Sequence, residues 1–323
     1  MADDLTLTRR LRIAESRMVA EGIREFTLVN PDGAALPAFK AGAHLPLKVP
    51  NGMLRRYSLS NDPAEADRYV IAAKREEGGA GGSRSLVDEA RDGDVLEAGD
   101  PQNDFALTGK TVPHLFVAGG IGVTPLLSMA RHLMSSGGPA FQMVYLTRTP
   151  AMTAYRAELR APAFRGKVTI HHDEGDPERA FDLWPLLEQP KGRQLYCCGP
   201  RGLMESVRDM TGHWPTSAVH FEDFGGAAAA RRADDAPFTL RLARSGRVVD
   251  VPRDRSALAA LREAGVAVPF SCEGGTCGSC RTGLLGGEVD HRDFVLTEKE
   301  RSRYWMPCVS RAATAGGDVT IEL

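Results

Sequence analysis

The alternation of hydrophobic and polar positions divides the chain into three stretches with different periods. Up to about residue 100, short alternating or β-branched segments are separated by clusters of Gly, Pro, Asn and Asp. From Pro113, continuous apolar runs alternate with segments of helical spacing. After Pro237, short strand patterns return around one predicted helix. A chain of 323 residues is too long for one core, so the three patterns predict three domains.

The first stretch predicts a small antiparallel β-barrel. Turn signals such as Asn30-Pro31-Asp32-Gly33 and Pro50-Asn51-Gly52 separate its segments, and no helical period is sustained. The segments with the strand pattern are residues 7–14, 23–29, 44–49, 56–60 and 69–74. Lys74, at the end of the last segment, is a candidate for contact with a cofactor.

One barrel strand carries Arg55-Arg56-Tyr57-Ser58, and some 25 residues later the chain reads Gly81-Gly82-Ser83. A guanidinium can form paired hydrogen bonds to a phosphate, a tyrosine ring can stack on an isoalloxazine, and a serine hydroxyl can reach its polar edge. The glycine loop offers N–H groups to the same phosphate, at the start of a helix predicted over 83–90. These features indicate a flavin site, although an ordinary surface strand with a solvated arginine gives a similar string.

The second stretch predicts a nucleotide-binding α/β domain. An apolar run at 114–118 is typical of a buried strand, and Gly119-Gly120-Ile121-Gly122-Val123-Thr124-Pro125 follows it. Strand, glycine turn and helix open a βαβ unit whose helix N-terminus can bind a pyrophosphate. Thr124 is expected to cap the helix and Pro125 to take its first position. A glycine turn before a helix is also common without any ligand.

Further strands and helices alternate after this unit and predict a doubly wound parallel sheet. The strands are expected at 141–146, 168–172, 194–198 and 220–224, with helices at 154–160 and 202–210. Ligands of such sheets bind beyond the carboxyl ends of the strands. The candidate residues at these ends are Thr147, Arg148, Asp173, Cys198, Gly199 and Pro200.

Cys198 is a candidate for contact with a nicotinamide ring, because it stands at the end of a predicted strand. The alternative is a small buried residue that fills a gap, which is the commoner role of a free cysteine. Cys197 points to the opposite face of the strand and is assigned that role.

The third stretch contains Cys272, Cys277 and Cys280 in a C-x4-C-x2-C pattern, and Cys308 follows after 27 residues. This spacing is that of plant-type [2Fe-2S] ferredoxins. Nearby glycines permit positive φ angles and close approach to a cluster. Structural zinc sites usually pair their thiols as C-x2-C, but zinc and disulfides stay open as alternatives. Strand patterns on both sides of the cysteines predict a β-grasp-like ferredoxin module.

The expected domain limits are 1–109 for the barrel, 110–226 for the α/β domain, 227–236 for a linker and 237–323 for the ferredoxin module. A net charge of −2 gives no reason to expect nucleic acid. No apolar run could span a bilayer, and Met1-Ala2-Asp3-Asp4 lacks the order of a signal peptide. A cytoplasmic location without membrane contact is therefore expected. A monomer is also expected, although no pattern in the sequence determines the oligomeric state.

From about residue 8 to residue 323, the chain resembles the phthalate dioxygenase reductase family, and vanillate demethylase reductases share the pattern. The resemblance depends on the motifs above, the four cysteines, Tyr196-Cys197-Cys198-Gly199-Pro200, Met210-Thr211-Gly212-His213-Trp214-Pro215 and Glu288-Val289-Asp290-His291-Arg292-Asp293. Arg56 occupies a variable position of the family pattern, and the segment 227–235 is particular to this chain.

The resemblance implies a role for individual residues. Arg55, Gly82 and Ser83 would hold the phosphate of FMN, while Tyr57 and Ser58 would meet the isoalloxazine. Phe224 would cover the flavin ring until the nicotinamide displaces it. Residues that would line the NADH site are Gly120, Thr124, Cys198 and Pro200, and Asp173 would bind a ribose hydroxyl. NADH is preferred on resemblance alone, because Arg148 could also meet a 2′-phosphate.

The implied function is electron transfer from NADH through FMN and the [2Fe-2S] cluster to the Rieske centre of a separate oxygenase. NADH delivers two electrons together and the cluster accepts one, so a flavin is needed between them. No adenosine-binding segment for FAD is apparent, which favours FMN. The alternatives are a vanillate-type O-demethylase reductase, a redox-sensing module, and a flavohaemoglobin-like or stand-alone flavin reductase.

Overall fold

The computed structural model describes residues 7–109 and 111–323. Residues 1–4, on which the signal-peptide expectation depends, lie outside the described residues. The chain forms two compact units, one that ends at His220 and one from Phe221 to Leu323. No helix formed by the described residues is both long and apolar enough to cross a membrane.

The first part of the N-terminal unit is an antiparallel barrel, as predicted. Its sheet has the strand order β4-β3-β6-β1-β2-β5, and a bridge between Leu59 and Ile71 joins the two outer strands. The elements are β1 (Arg9–Ala20), β2 (Ile23–Val29), β3 (His44–Lys48), β4 (Leu54–Ser58), β5 (Tyr69–Lys74), α1 (Gly82–Glu89) and β6 (Val95–Ala98). The bounds of β2 and β5 are those expected from the pattern, whereas β6 was not predicted.

Alternation of side chains explains why this sheet closes around a core. Leu11, Ile13, Phe26, Leu45 and Leu47 point inward and are at most 1% exposed. Strand β1 is longer than predicted because two register shifts, at Ile13/Glu15 and at Met18/Ala20, let it bend and continue along β2.

The second part of the N-terminal unit is the predicted parallel α/β sheet, with the order β11-β10-β7-β8-β9, although the last two residues of β11 lie beyond His220. Strands β10, β7, β8 and β9 pair in parallel. The elements are β7 (His114–Gly119), α2 (Val123–Ser135), β8 (Phe141–Thr147), α3 (Arg156–Leu159), β9 (Val168–His172), α4 (Trp184–Leu187), β10 (Gln194–Cys198), α5 (Arg201–Met210) and β11 (Val219–Glu222). The carboxyl ends of four parallel strands therefore lie at one edge.

The C-terminal unit has a β-grasp-like fold, as predicted. Its main sheet has the order β13-β12-β18-β14-β16, beside a β15-β17 pair. Helix α7 is capped by Ser256, whose Oγ accepts the N–H of Ala259 at 3.2 Å, and it buries Leu258 and Leu261 in the core. The elements are α6 (Gly226–Ala229), β12 (Phe238–Leu242), β13 (Val248–Val251), α7 (Ala257–Glu263), β14 (Thr282–Gly286), β15 (Val289–Asp290), α8 (Glu298–Arg301), β16 (Tyr304–Trp305), β17 (Arg311–Ala312) and β18 (Asp318–Ile321).

The segment 227–236, expected as a linker, lies inside the C-terminal unit, and the units divide six residues earlier than predicted. Contacts of the last two residues attach the segment to this unit. The Asp235 side chain is 3% exposed, and its Oδ1 accepts a 2.6 Å hydrogen bond from Nη2 of Arg292. Nη2 of Arg311 donates to the carbonyl of Ala236 at 2.9 Å. Although burial raises the pKa of Asp235, Arg292 holds it below its usual range.

Replacing Asp235 with alanine should destabilise the C-terminal unit by about 1.5–3 kcal/mol, because the buried Arg292 would lose one of its two carboxylate partners and keep only Asp290. Asp234→Ala, at an exposed neighbouring position, is the control and should change stability little. Urea unfolding of both variants measures the difference. Since the folded pKa of Asp235 is depressed, its contribution should be present above the ordinary carboxyl pKa and lost as pH falls through the folded value.

Candidate redox sites

The four ferredoxin-pattern cysteines lie together in the C-terminal unit, as two pairs. Sγ of Cys280 and Sγ of Cys308 are 3.3 Å apart, and both residues are at most 3% exposed. Cys272 and Cys277 are half-buried, and their thiols hydrogen-bond each other. All six cysteines of the chain are free of disulfides.

Two pairs of thiols suit a binuclear cluster better than a single ion. Each iron of a [2Fe-2S] cluster takes two thiolates and shares two sulfides, whereas a structural zinc ion draws four ligands to one point. Among the described residues, no set of three His, Cys, Asp or Glu side chains has the spacing to hold one metal ion. The paired donor set therefore fits a [2Fe-2S] cluster.

The loop that carries three of these cysteines depends on glycine. Gly275 has φ +78°, and a Cβ there would lie 2.7 Å from Cγ2 of Val309. The N–H of Gly274 donates to Sγ of Cys272 at 3.3 Å. Hydrogen bonds from Cys277, from Thr276 and from the N–H of Gly274 lower the pKa of Cys272 to about 5. The hydrogen bond between Cys272 and Cys277 also raises the pKa of Cys277, so one of the two thiols loses its proton readily and the other keeps it.

The predicted flavin phosphate residues Arg55 and Gly82 are brought together in the N-terminal unit. A Cβ added to Gly82 would lie 2.6 Å from Nε of Arg55. Helix α1 begins at Gly82, and its N-cap Gly81 has φ +93° with no side-chain cap. Its first N–H groups and a guanidinium therefore converge, as an anion site requires. Ser83 does not cap the helix, since its Oγ accepts the N–H of Glu76 at 3.2 Å.

The residues predicted to meet the isoalloxazine lie on β4, where Tyr57 pairs with Leu45 and Ser58 with His44. The hydroxyl of Tyr57 is buried and has no hydrogen-bond partner in the described part of the chain, and burial raises the pKa of Tyr57 to about 12. A buried hydroxyl without a partner is costly, so a polar ligand atom fits beside it. Ser58 is 4% exposed. Burial, with the charge of Arg56, lowers the pKa of His44 to about 4.

A cleft of about 640 Å³ lies at the carboxyl ends of β7, β8 and β9. It is lined by seven residues that the sequence indicated: Lys74, Gly119, Gly120, Thr147, Arg148, Asp173 and Pro200. Gly120 has φ +55° and open space around its Cα, whereas a Cβ on Gly119 would lie 2.6 Å from Cδ of Pro200. Gly122 is equally constrained, because a Cβ there would lie 2.2 Å from the carbonyl oxygen of Cys198.

The expected capping arrangement of α2 is wrong. The helix begins at Val123, so Thr124 and Pro125 are its second and third residues, and Gly122 is the N-cap without a side-chain cap. A 3-10 turn over Gly120–Gly122 precedes the helix, and Oγ1 of Thr124 donates to the carbonyl of Ile121 at 3.0 Å. Pro125 is tolerated because N–H groups in a first turn have no acceptor within the helix. The contact of Thr124 with a nucleotide stays a prediction.

Three further candidate residues do not line the cleft. Cys198 is fully buried, and Cys197 beside it is too, with a thiol pKa raised by burial. A Cβ on Gly199 would lie 2.8 Å from the Cα of Gly119, so Gly199 allows the two strand ends to approach. Phe224 belongs to the C-terminal unit and is 46% exposed. The proposed roles of Cys198 and Phe224 at the reacting rings stay predictions.

Sequence reasoning missed some residues of the cleft, including Glu21, Ile23, His171 and Phe181. Glu21 and Ile23 come from the β1–β2 hairpin of the barrel, where no local pattern points to a nucleotide. The ring of Phe181 meets that of His171 edge-on at 5.4 Å, and a carbonyl, that of Arg179, lies 2.7 Å from Nε2 of His171. Only the fold brings these residues to the strand ends.

Known proteins resemble the chain over nearly its whole length. It is 52% identical to a phthalate dioxygenase reductase of Burkholderia cepacia over 95% of both chains. This chain belongs to the phthalate dioxygenase reductase family. It is 50% identical to a solved phthalate dioxygenase reductase, described as modular for electron transfer from pyridine nucleotides to [2Fe-2S], with a TM-score of 0.71 over 97% of each chain. A vanillate O-demethylase oxidoreductase of Pseudomonas sp. (strain HR199 / DSM 7063) is 36% identical over 94% of this chain and 96% of its own.

The profile of the 2Fe-2S iron-sulfur cluster binding domain family matches residues 240–313, which include all four predicted ligands. Membership in the phthalate dioxygenase reductase family confirms the fold class and the function class expected from the sequence. The chain is an electron-transfer oxidoreductase that uses a pyridine nucleotide, a flavin and a [2Fe-2S] cluster.

Arg55→Ala should weaken flavin binding by about 10- to 100-fold, because a charge-assisted hydrogen bond to a buried phosphate contributes about 1.5–3 kcal/mol. The flavin that remains on the protein after gel filtration measures the loss. Arg12→Ala, an exposed arginine on β1, is the matched control and should keep its flavin. Full flavin content in the Arg55 variant would show that the phosphate lies elsewhere.

Proposed function

We propose that this chain is the reductase component of an aromatic-ring Rieske oxygenase and carries electrons from NADH, through FMN and the cluster, to that oxygenase. One observation supports the proposal: a single polypeptide combines a cleft at the ends of parallel strands, a helix N-terminus beside Arg55 and two pairs of thiols. A stand-alone flavin reductase would have no use for the thiols. A redox sensor would not require a cleft for a pyridine nucleotide.

The order of the carriers follows from how many electrons each site handles. The nicotinamide gives up two electrons together, and the cluster accepts one at a time. A bound flavin exchanges electrons in both ways and would link the two. The residues of β4 and the N-terminus of α1 would hold it, with Arg55 and the N–H groups after Gly81 on the phosphate and Tyr57 and Ser58 at the ring.

FMN is proposed rather than FAD, since the sequence has no recognisable segment for the adenosine half of FAD. NADH is proposed rather than NADPH. Asp173 and Arg148 line the same cleft, and a carboxylate there can accept ribose hydroxyls while it repels a 2′-phosphate. Arg148 is exposed and would favour the phosphate, so Asp173 is the residue that would decide the preference.

Phthalate is the proposed substrate of the partner oxygenase, because the relative from Burkholderia cepacia at 52% identity is named for it. The second candidate is a vanillate-type O-demethylase, supported by the relative at 36% identity. We propose that the chain acts as a cytoplasmic monomer, without nucleic acid or membrane partners. Reconstitution separates the two oxygenases: NADH-dependent turnover should be fast with a phthalate oxygenase component and slow with a vanillate one.

Cys280→Ser should separate the two halves of the electron path. NADH-dependent reduction of ferricyanide, which can take electrons from the flavin, should be largely retained, whereas cytochrome c reduction should fall to near background. Sγ of the buried Cys280 lies 3.3 Å from Sγ of Cys308, and the two thiolates would bind the same iron. Replacing Cys280 would leave that iron with one thiolate ligand instead of two.

Cys197→Ala is the matched control, because Cys197 is a buried thiol of the N-terminal unit outside the cluster pattern, and both activities should remain. Equal loss of both activities in the Cys280 variant would mean that the cluster is not the terminal carrier.

A further inference from the structure

The side chain of Asp293, in the C-terminal unit, is fully buried at 0% exposed, and only one of its two oxygens is satisfied. Oδ1 accepts the N–H groups of Val295 at 3.0 Å and of Leu296 at 2.7 Å. Oδ2 is buried without a hydrogen-bond partner among the described residues. Among the described residues, the basic atom at ion-pair distance from Oδ2 is Nδ1 of His291, at 3.8 Å.

Asp293 lies directly against the loop that carries the cluster ligands. A Cβ added to Gly275, which stands between Cys272 and Cys277, would lie 3.2 Å from Cα and 3.4 Å from Cβ of Asp293. The next residue, Phe294, donates its N–H to the carbonyl of Gly275 at 2.9 Å. The backbone of the cysteine loop therefore packs on Asp293.

The surrounding residues hold this carboxylate in place. The side chain of Arg292 is 6% exposed and bonds to Asp235 at 2.6 Å and to Asp290 at 2.7 Å. The ring of Phe294 packs on that of Phe221 at 4.9 Å. Asp293 thus lies between two anchored residues and cannot turn toward solvent without breaking these contacts.

The charge state of Asp293 is also fixed by its neighbours. Burial by itself raises the pKa of a carboxyl, but His291 and the N–H groups of Leu296 and Val295 hold the pKa of Asp293 below its usual range. The group is therefore ionised at neutral pH. Oδ2 has His291 as a neighbour at 3.8 Å but accepts no hydrogen bond, and a buried ionised oxygen without a hydrogen bond is costly and calls for an explanation beyond stability.

We propose that the Asp293 carboxylate lowers the reduction potential of the [2Fe-2S] cluster. Reduction adds one electron to the cluster and makes or breaks no bond, so a fixed negative charge beside the loop opposes it through space. A lower potential makes the cluster a stronger donor to a partner. The inference depends on the proposed function only in that the cluster is the one-electron carrier.

Asp293→Asn tests the proposal, because the amide keeps the size of the side chain and the oxygen that accepts the two N–H groups. A titration with dithionite and redox dyes, followed by the electron paramagnetic resonance signal of the reduced cluster, gives the midpoint potential. The equilibrium constant for reduction should rise about tenfold, which is 59 mV for a one-electron couple.

Glu288→Gln is the matched control. It removes the same charge from the same segment, but at an exposed position where water screens it. Its equilibrium constant for reduction of the cluster should stay within twofold of the wild-type value. Asp293→Glu, which keeps the charge, should also stay close to wild type.

Asp293→Ser, neutral and still able to accept an N–H, gives a second reading if the asparagine variant loses its iron. A loaded neutral variant whose potential equals that of the wild type would overturn the proposal. Loss of iron from both neutral variants, with iron kept by Asp293→Glu, would also overturn it and make Asp293 a structural residue. Because neither NADH nor a partner takes part, a failure here leaves the proposed electron route untouched.

Discussion

The close approach of four cysteine thiols is the constraint on which the C-terminal unit depends. Thiolates repel one another, so their convergence is stable only where backbone N–H groups and bound iron compensate the charge. The loop provides the first of these, since Gly274 donates to Cys272, and Gly275 has a positive φ at a place where a Cβ would lie 2.7 Å from the side chain of Val309. Cys308 comes from the turn between β16 and β17, 28 residues beyond Cys280. Two thiol pairs result, each suited to one iron.

The proposed anion sites of the N-terminal unit depend on the same two features, glycine and unsatisfied N–H groups. At α1 the missing side chain of Gly82 lets the helix N-terminus approach Arg55. At β7 the absence of a Cβ on Gly119 and Gly122 lets the ends of β7 and β10 meet, which leaves the open Gly120 turn facing a cleft. Each cofactor region is thus defined as much by the absence of side chains as by their presence.

Local pattern was sufficient for much of the fold and of the sites. The strand periods of β2 and β5 predicted their bounds, and the cysteine spacing predicted the thiols that pair. The features that local pattern could not predict depend on residues that are distant in the sequence.

The charged, alanine-rich segment 227–236 has the composition of a linker, yet Asp235 is buried against Arg292, which lies 57 residues away. Glu21 and Ile23 reach the cleft only because the barrel packs beside the α/β sheet in one unit. The predicted N-cap of α2 is wrong because a 3-10 turn precedes the helix, and such a turn has no characteristic amino-acid composition.

The proposed function is that electrons enter the chain in pairs from the nucleotide and leave it one at a time from the cluster. If this is so, NADH must reduce both the flavin and the cluster of the same chain. Anaerobic titration of the purified protein with NADH, followed by visible absorption and electron paramagnetic resonance, tests this most directly. The account predicts that the flavin and iron-sulfur bands both bleach and that the cluster signal approaches about one unpaired electron per chain. Protein that contains no iron, or whose cluster stays oxidised while the flavin bleaches, would contradict it.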